Sequence, residues 1–149
     1  MLNPARLPIR FEAFIFIVGI FMLASAFAPW QVSQLASVDA LKSWHGVSTF
    51  VGGLLAIVGS LISYDFFGVS ILFKYRRWLN SGFAVIGGLM SISGALAYFG
   101  EIPAGYSPGC GVHLSIITGV TIVILSLLFF QSEKSAIPPG LSGTGFAPD

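Results

Sequence analysis

Charge is what this chain has least of. Only 9% of its 149 residues are Asp, Glu, Lys or Arg, against roughly 25% in soluble domains. That leaves too little polar surface to cover a water-soluble globule. Cysteine is nearly missing too: the single Cys110 cannot form an internal disulfide, and the paired Cys or His spacings of structural zinc are absent. There is no nucleophile–base spacing, no phosphate-cradling glycine loop leading into a soluble helix, and no carboxylate pair. The chain is therefore read as no enzyme by itself. Strand alternation is also lacking, which excludes a membrane barrel. A net charge of +1 gives no reason to expect nucleic acid as a partner.

What is there is apolar: 55% hydrophobic residues and a mean hydropathy of +0.89. Four runs, at about 13–28, 47–64, 82–98 and 112–130, contain no Asp, Glu, Lys, Arg or Pro. Each is close to the roughly 20 residues a helix needs to cross a bilayer core. The fold class is all-α, an integral membrane four-helix bundle over residues 1–131, followed by a cytoplasmic extended tail at 132–149. The only ionisable side chain inside a run is His113, near its edge. This argues against a pump, a proton-coupled transporter or an ion channel, whose paths need such groups despite their cost in lipid. Arg6 and Arg10 before the first run and "ASAFA" within it have the look of a signal peptide. Pro29 just past the would-be cleavage point and the length of the apolar core favour a retained anchor.

The basic residues orient the chain. Arg6, Arg10, Lys74, Arg76, Arg77 and Lys134 fall on one side of four crossings, and Lys42 alone on the other. Both termini are expected to be cytoplasmic, with the loops at 30–46 and 99–111 outside.

The two halves resemble each other. At an offset of 69, "FIFIVGIFMLASAFA" (14–28) lies on "FAVIGGLMSISGALA" (83–97). At an offset of 66, "GGLLAIVGSLI" (52–62) lies on "TGVTIVILSLL" (118–128). The expectation is a duplicated 2+2 helical hairpin whose halves share one orientation. Small residues at four-residue spacing, Gly52, Ala56 and Ser60 on the second run and Gly87, Ser91 and Ala95 on the third, are assigned to close helix packing. Bulky faces (Phe14, Phe16, Phe21 and Phe27; Leu127, Leu128, Phe129 and Phe130) are assigned to lipid or another subunit. Trp30, Trp44, Tyr98 and Phe99 are read as outer-interface aromatics, and Tyr64, Tyr75 and Trp78 as inner ones.

The segment "DFFGVSILFKYRRW" (65–78) stays apolar after the second helix should end. It is read as a break near Gly68 followed by an in-plane piece, with Lys74, Arg76 and Arg77 at lipid headgroups. The alternative is a tilted extension of the second helix towards Phe73. The tail "SEKSAIPPGLSGTGFAPD" is too rich in Pro, Gly and Ser to build a core and is expected to lie along a partner.

The stretch "GYSPGCGVHLS" (105–115) gathers the candidate chemistry. Its plainer reading is a turn, with glycine and proline handing the chain to the last helix. Its sharper reading is a metal site: Cys110 and His113 stand at i, i+3, His45 opens the second helix at the same depth, and Glu101 adjoins. Thiolate, imidazole and carboxylate suit copper or zinc, and His45 with His113 could ligate haem. No diagnostic spacing supports this, so no cofactor is expected, with copper or haem as the alternative.

The layout, with "YSPGCGVHLSIITG" (106–119) leading into the last run, resembles small four-helix membrane proteins common in archaea. It also looks like accessory subunits of membrane oxidoreductases. That resemblance implies a non-catalytic subunit bracing a larger complex, such as a copper-containing ammonia monooxygenase of the archaeal type or a respiratory complex, with no motif singling out either. Its partners would be membrane lipid and other integral membrane subunits. A metal- or haem-binding electron-transfer subunit and a small pore for a neutral solute are the alternatives. The claudin arrangement fits less well, because the loop at 30–46 is too short for that family's extracellular sheet and lacks its cysteine pair.

Overall fold

A computed structural model describes residues 11–32, 37–39, 41, 43–64, 66, 68 and 75–135. Four helices carry the fold: α1 (Phe11–Ser25), α2 (Trp44–Ser63), α3 (Arg76–Glu101) and α4 (Cys110–Ser135). Three short strands, β1 (Pro29–Val32), β2 (Ser37–Asp39) and β3 (Ser107–Pro108), lie in the connections at one end.

Three helices, α2, α3 and residues 110–131 of α4, are long and apolar enough to cross a membrane. This is consistent with a membrane protein. The first helix is shorter. Its 15 described residues reach about 22 Å at about 1.5 Å per residue, and residues 1–10 lie outside the described part of the chain. The apolar path continues as tight i→i−3 turns through Ala26, Phe27 and Ala28, whose amides bond to Leu23, Ala24 and Ser25. The run expected at 13–28 is thus part helix, part turn.

The second helix is capped by Ser43, whose hydroxyl accepts from the Gly46 amide. It ends at Ser63, ahead of Gly68, which takes a positive φ of 61°. The helix therefore does not run unbroken past Ser63, and residues 69–74, the expected in-plane piece, lie outside the described residues. Helix α3 begins earlier than its apolar run: Arg76, Arg77 and Trp78 are its first turn rather than the end of an in-plane piece. Lys74, Asp65 and the tail from 136 lie outside the described residues, and α4 runs past the expected boundary to Ser135.

The strands are a feature that the search for alternation misses. They form an antiparallel sheet in the order β2-β1-β3, with Gln31 opposite Val38 and Pro108, and Val32 opposite Ser37 and Ser107. Runs of two to four residues are too short to show the period-2 pattern of a strand. Both prolines stand where the ladder tolerates them: Pro29 is the first residue of β1, beside an irregularity in register, and Pro108 is on an edge strand. The 30–46 loop therefore does contribute to a sheet, although a minimal one.

The helices pack in a ring. Helix α1 contacts α2 and α4, α3 contacts the same two, and α1 and α3 barely touch across the diagonal. The α2·α3 contact is the most extensive, and glycine is the reason. A Cβ on Gly52 would strike the Gly87 carbonyl oxygen, and a Cβ on Gly87 that of Gly52. Without a hydrophobic effect between helices in lipid, such backbone approach is what holds them. Ile15, Met22, Ala56, Ala84, Ile122 and Phe129 form one core cluster. Trp30, Ala95, Tyr98 and Val112 form another beneath the sheet. Phe129 thus belongs to the core and not to an outward face, and Trp30 and Tyr98 are buried within the protein.

Burial follows the sequence offsets. The buried residues of α1, Ile15, Gly19, Met22 and Ser25, fall 69 positions before buried Ala84, Gly88, Ser91 and Gly94 of α3. Of the ten buried residues of α2, eight have a buried counterpart 66 positions later in α4, while Leu125 is half-buried and Leu128 exposed. The contacts correspond too. A Cβ on Gly53 would lie 3.1 Å from the Gly19 oxygen, and one on Gly119 2.9 Å from the Gly88 oxygen.

Candidate functional site

The stretch 105–115 is built around a tryptophan. Strand β3 pairs with β1, and the Gly109 amide donates to the Trp30 carbonyl at 2.8 Å. The Trp30 indole lies over Gly111, where a Cβ would come within 2.6 Å of its Nε1. That nitrogen donates to the Ser25 carbonyl at 2.9 Å, so the polar edge of a fully buried ring is satisfied. Glycine at 111 is what lets the ring approach the start of α4. Cys110 is the first residue of α4 and is exposed.

Next to Trp30 the aromatic cluster continues. Tyr98 meets it edge to face at 5.0 Å between centroids, and His45 meets Tyr98 at 5.5 Å. Trp44 stacks on His45 at 4.1 Å. The His45 ring is only 1% exposed, and its Nε2 lies 3.4 Å from Oε1 of the largely exposed Glu101. That distance allows an ion pair, but the atoms are not aligned for a hydrogen bond. Among the described residues neither buried ring nitrogen has a hydrogen-bond partner, which is costly for a polar group.

The three residues proposed as metal ligands are placed differently from one another. His45 is buried among aromatics. His113 is exposed on α4 and packs edge to face on Phe99 at 5.7 Å. Cys110 faces outward one turn earlier. Among the described residues no group of three or more His, Cys, Asp or Glu side chains is gathered so as to hold a metal ion. The carboxylate that reaches His45 is Glu101.

The residues assigned to packing are all buried: Gly52, Ala56 and Ser60 on α2, Gly87, Ser91 and Ala95 on α3. Apart from Ser63, the interior hydroxyls bond to backbone or to one another. Ser25 and Ser115 share a bond of 2.9 Å, and Ser91 donates to the Ser115 carbonyl at 3.0 Å, linking α1, α4 and α3. At the far end Ser126 donates to the Ser81 carbonyl at 3.0 Å and Ser81 returns the bond at 3.4 Å.

That far end also holds polar groups that sequence reading does not single out. Asn80 is fully buried, and among the described residues both its amide atoms, the Ser63 hydroxyl and the Arg77 Nε have no hydrogen-bond partner. The Arg77 guanidinium sits 4.0 Å over the Phe130 ring, a cation–π contact. Trp78 meets the same ring edge to face at 4.8 Å. The only sequence signal was that Asn80 follows two arginines with no helix-breaking residue between. Comparison with protein-family models, with curated proteins and with solved structures gives no match to this chain.

Proposed function

We propose that the chain is a membrane-embedded, non-catalytic accessory subunit that braces a larger complex of integral membrane proteins. In this reading all four helices cross the bilayer as a duplicated 2+2 hairpin, and both termini are cytoplasmic. The observation that carries it is the contrast between inside and outside. The interior is closed by glycine-to-glycine backbone contact and hydroxyls bonded to backbone. The perimeter exposes large apolar side chains from every helix, including Phe14, Phe21, Leu54, Ile86, Ile117 and Ile124. Such a surface is far beyond what a soluble monomer tolerates, and it suits lipid and neighbouring helices. The matched burial at offsets of 66 and 69 supports the duplication, because those offsets come from residue identities and not from burial. The oxidoreductase setting rests on the resemblance alone.

Extraction in mild detergent followed by native mass measurement tests the reading. Co-purifying membrane subunits are expected, and a stable lone chain or homo-oligomer would overturn it. The orientation has its own probe, because Cys110 is the chain's single cysteine and is exposed. A membrane-impermeant thiol reagent should label it on intact cells; labelling only after permeabilisation would invert the topology.

One observation favours a second reading, a metal- or haem-binding subunit: the buried His45 ring beside Glu101, with neither nitrogen hydrogen-bonded among the described residues. Metal analysis and a visible spectrum of the wild type and of His45→Ala and His113→Ala test it. A wild type with neither metal nor haem ends that reading.

A further inference from the structure

We infer that the groove between α3 and α4, at the end bearing Arg77, is a binding site for one hydrocarbon chain of an anionic phospholipid, with its phosphate at the arginine. The inference rests on the membrane-embedded reading above. The groove has a volume of about 300 Å³ and is lined by Gly82, Val85, Ile86, Leu127 and Phe130, with Trp78 at its end. Its wall is almost wholly apolar, since Ser81 and Ser126, which also border it, bond to each other's carbonyls. Gly82 keeps it open: a Cβ there would meet nothing within 4 Å. The neighbouring contact line is closed by contrast, with Gly88 against the Gly119 oxygen. The groove is thus a local widening between helices that touch further along.

The chemistry of its end selects the occupant. Trp78 and Arg77 both pack on Phe130, which also lines the groove. The guanidinium is therefore held beside the groove's mouth by its stacking and cannot swing away freely. Its Nε–H is buried with no acceptor among the described residues. An apolar slot ending in a fixed cation and an indole complements a lipid with a hydrocarbon chain, an interfacial ester and an anionic phosphate. Basic pockets between membrane helices favour anionic headgroups for this reason. An apolar helix from another subunit would fill the slot but offer the buried Nε–H no acceptor.

The test uses the full chain purified in mild detergent, exposed to equal amounts of phosphatidylglycerol and phosphatidylcholine, and read by native mass spectrometry. One tightly retained phosphatidylglycerol per chain is expected. Gly82→Leu, which has room for its side chain, fills the slot and should abolish retention while circular dichroism stays unchanged. Arg77→Gln should reduce the preference for phosphatidylglycerol over phosphatidylcholine about fivefold, the effect of about 1 kcal/mol per basic residue at a membrane surface. Undiminished retention in Gly82→Leu, or no headgroup preference in the wild type, would overturn the site. So would cross-linking of residue 86 to another subunit with no lipid retained. A chain that stays soluble after alkaline washing of membranes would instead refute the membrane-embedded reading itself, so the two failures are told apart.

Discussion

The two seams that join the hairpins differ in one respect: whether side chains stand between the helices. Along α2·α3 the facing positions are Gly52, Gly59, Gly87 and Gly94, and an added Cβ at each would meet the opposite helix. Their counterparts in the α1·α4 seam, 66 positions later for α2 and 69 earlier for α3, are Thr118, Leu125, Val18 and Ser25. The first seam is backbone on backbone; the second is held through side chains, including the Ser25–Ser115 bond. One repeated pattern of buried positions therefore yields a tight seam and a looser one. Residue size at the facing positions decides which is which, as expected where packing alone drives helices together.

The largest effect separates the hairpin ends at Trp30 and Phe99, which are 69 positions apart. Trp30 is fully buried under the sheet, with its indole satisfied and Gly111 beneath it, whereas Phe99 is 37% exposed. Trp30→Ala should cost about 3–5 kcal/mol, the range for emptying a large aromatic site. Phe99→Ala should cost roughly 0.5 kcal/mol, as for a surface change. Reversible unfolding in mixed detergent micelles reads both. Equal losses would mean that the stretch 105–115 does not owe its glycines to seating Trp30.

Next comes the seam itself. Gly52→Ala places a methyl against the Gly87 backbone, which has no side chain to turn aside, and should cost about 2–3 kcal/mol as overpacking does. At the counterpart position the side chain already exists, and the Thr118 hydroxyl bonds within its own helix at 2.7 Å. Thr118→Ala should therefore cost about 1 kcal/mol or less. A Gly52→Ala variant as stable as the wild type would show that the helices slide apart cheaply, and the contrast between the seams would lose its meaning.

How much of this was visible in the residues follows from the range of each signal. The helices were legible, because long uncharged runs and small residues at four-residue spacing such as Gly52, Ala56 and Ser60 are local patterns. The offsets of 66 and 69 were legible for the same reason. The sheet was not, since strands as short as Ser107–Pro108 have no period to detect. The start of α3 was misplaced because Arg76 and Arg77 carry charge, and charge says where a span leaves the apolar layer but not where a helix begins. Residue type alone places Trp30 at a helix end and Phe129 on an outward face, yet their burial depends on which face meets a neighbour. Of the candidate chemistry, the shared depth of His45 and Glu101 is legible and the two meet, but no spacing tells that Cys110 and His113 face outward instead. Asn80 and Ser63 stand out only through an amide and a hydroxyl that are buried without partners among the described residues.

The smallest effect lies within the repeat at Ser60 and Ser126, which are 66 positions apart and both fully buried. Ser60 donates to Ala56 of its own helix at 3.0 Å, so its hydroxyl adds nothing between helices. Ser126 instead reaches the Ser81 carbonyl on α3 at 3.0 Å. Ser126→Ala should cost about 0.6 kcal/mol, the average for an interhelical hydrogen bond in a membrane protein, and Ser60→Ala close to nothing. Because Ser81 returns its own bond to the Ser126 carbonyl, the two hydroxyls do not share an acceptor. Ser81→Ala and Ser126→Ala should therefore be nearly additive in a double-mutant cycle. A coupling above about 1 kcal/mol would show that the pair acts as one closed unit, setting the α3·α4 contact apart from α1·α2 in kind as well as in degree.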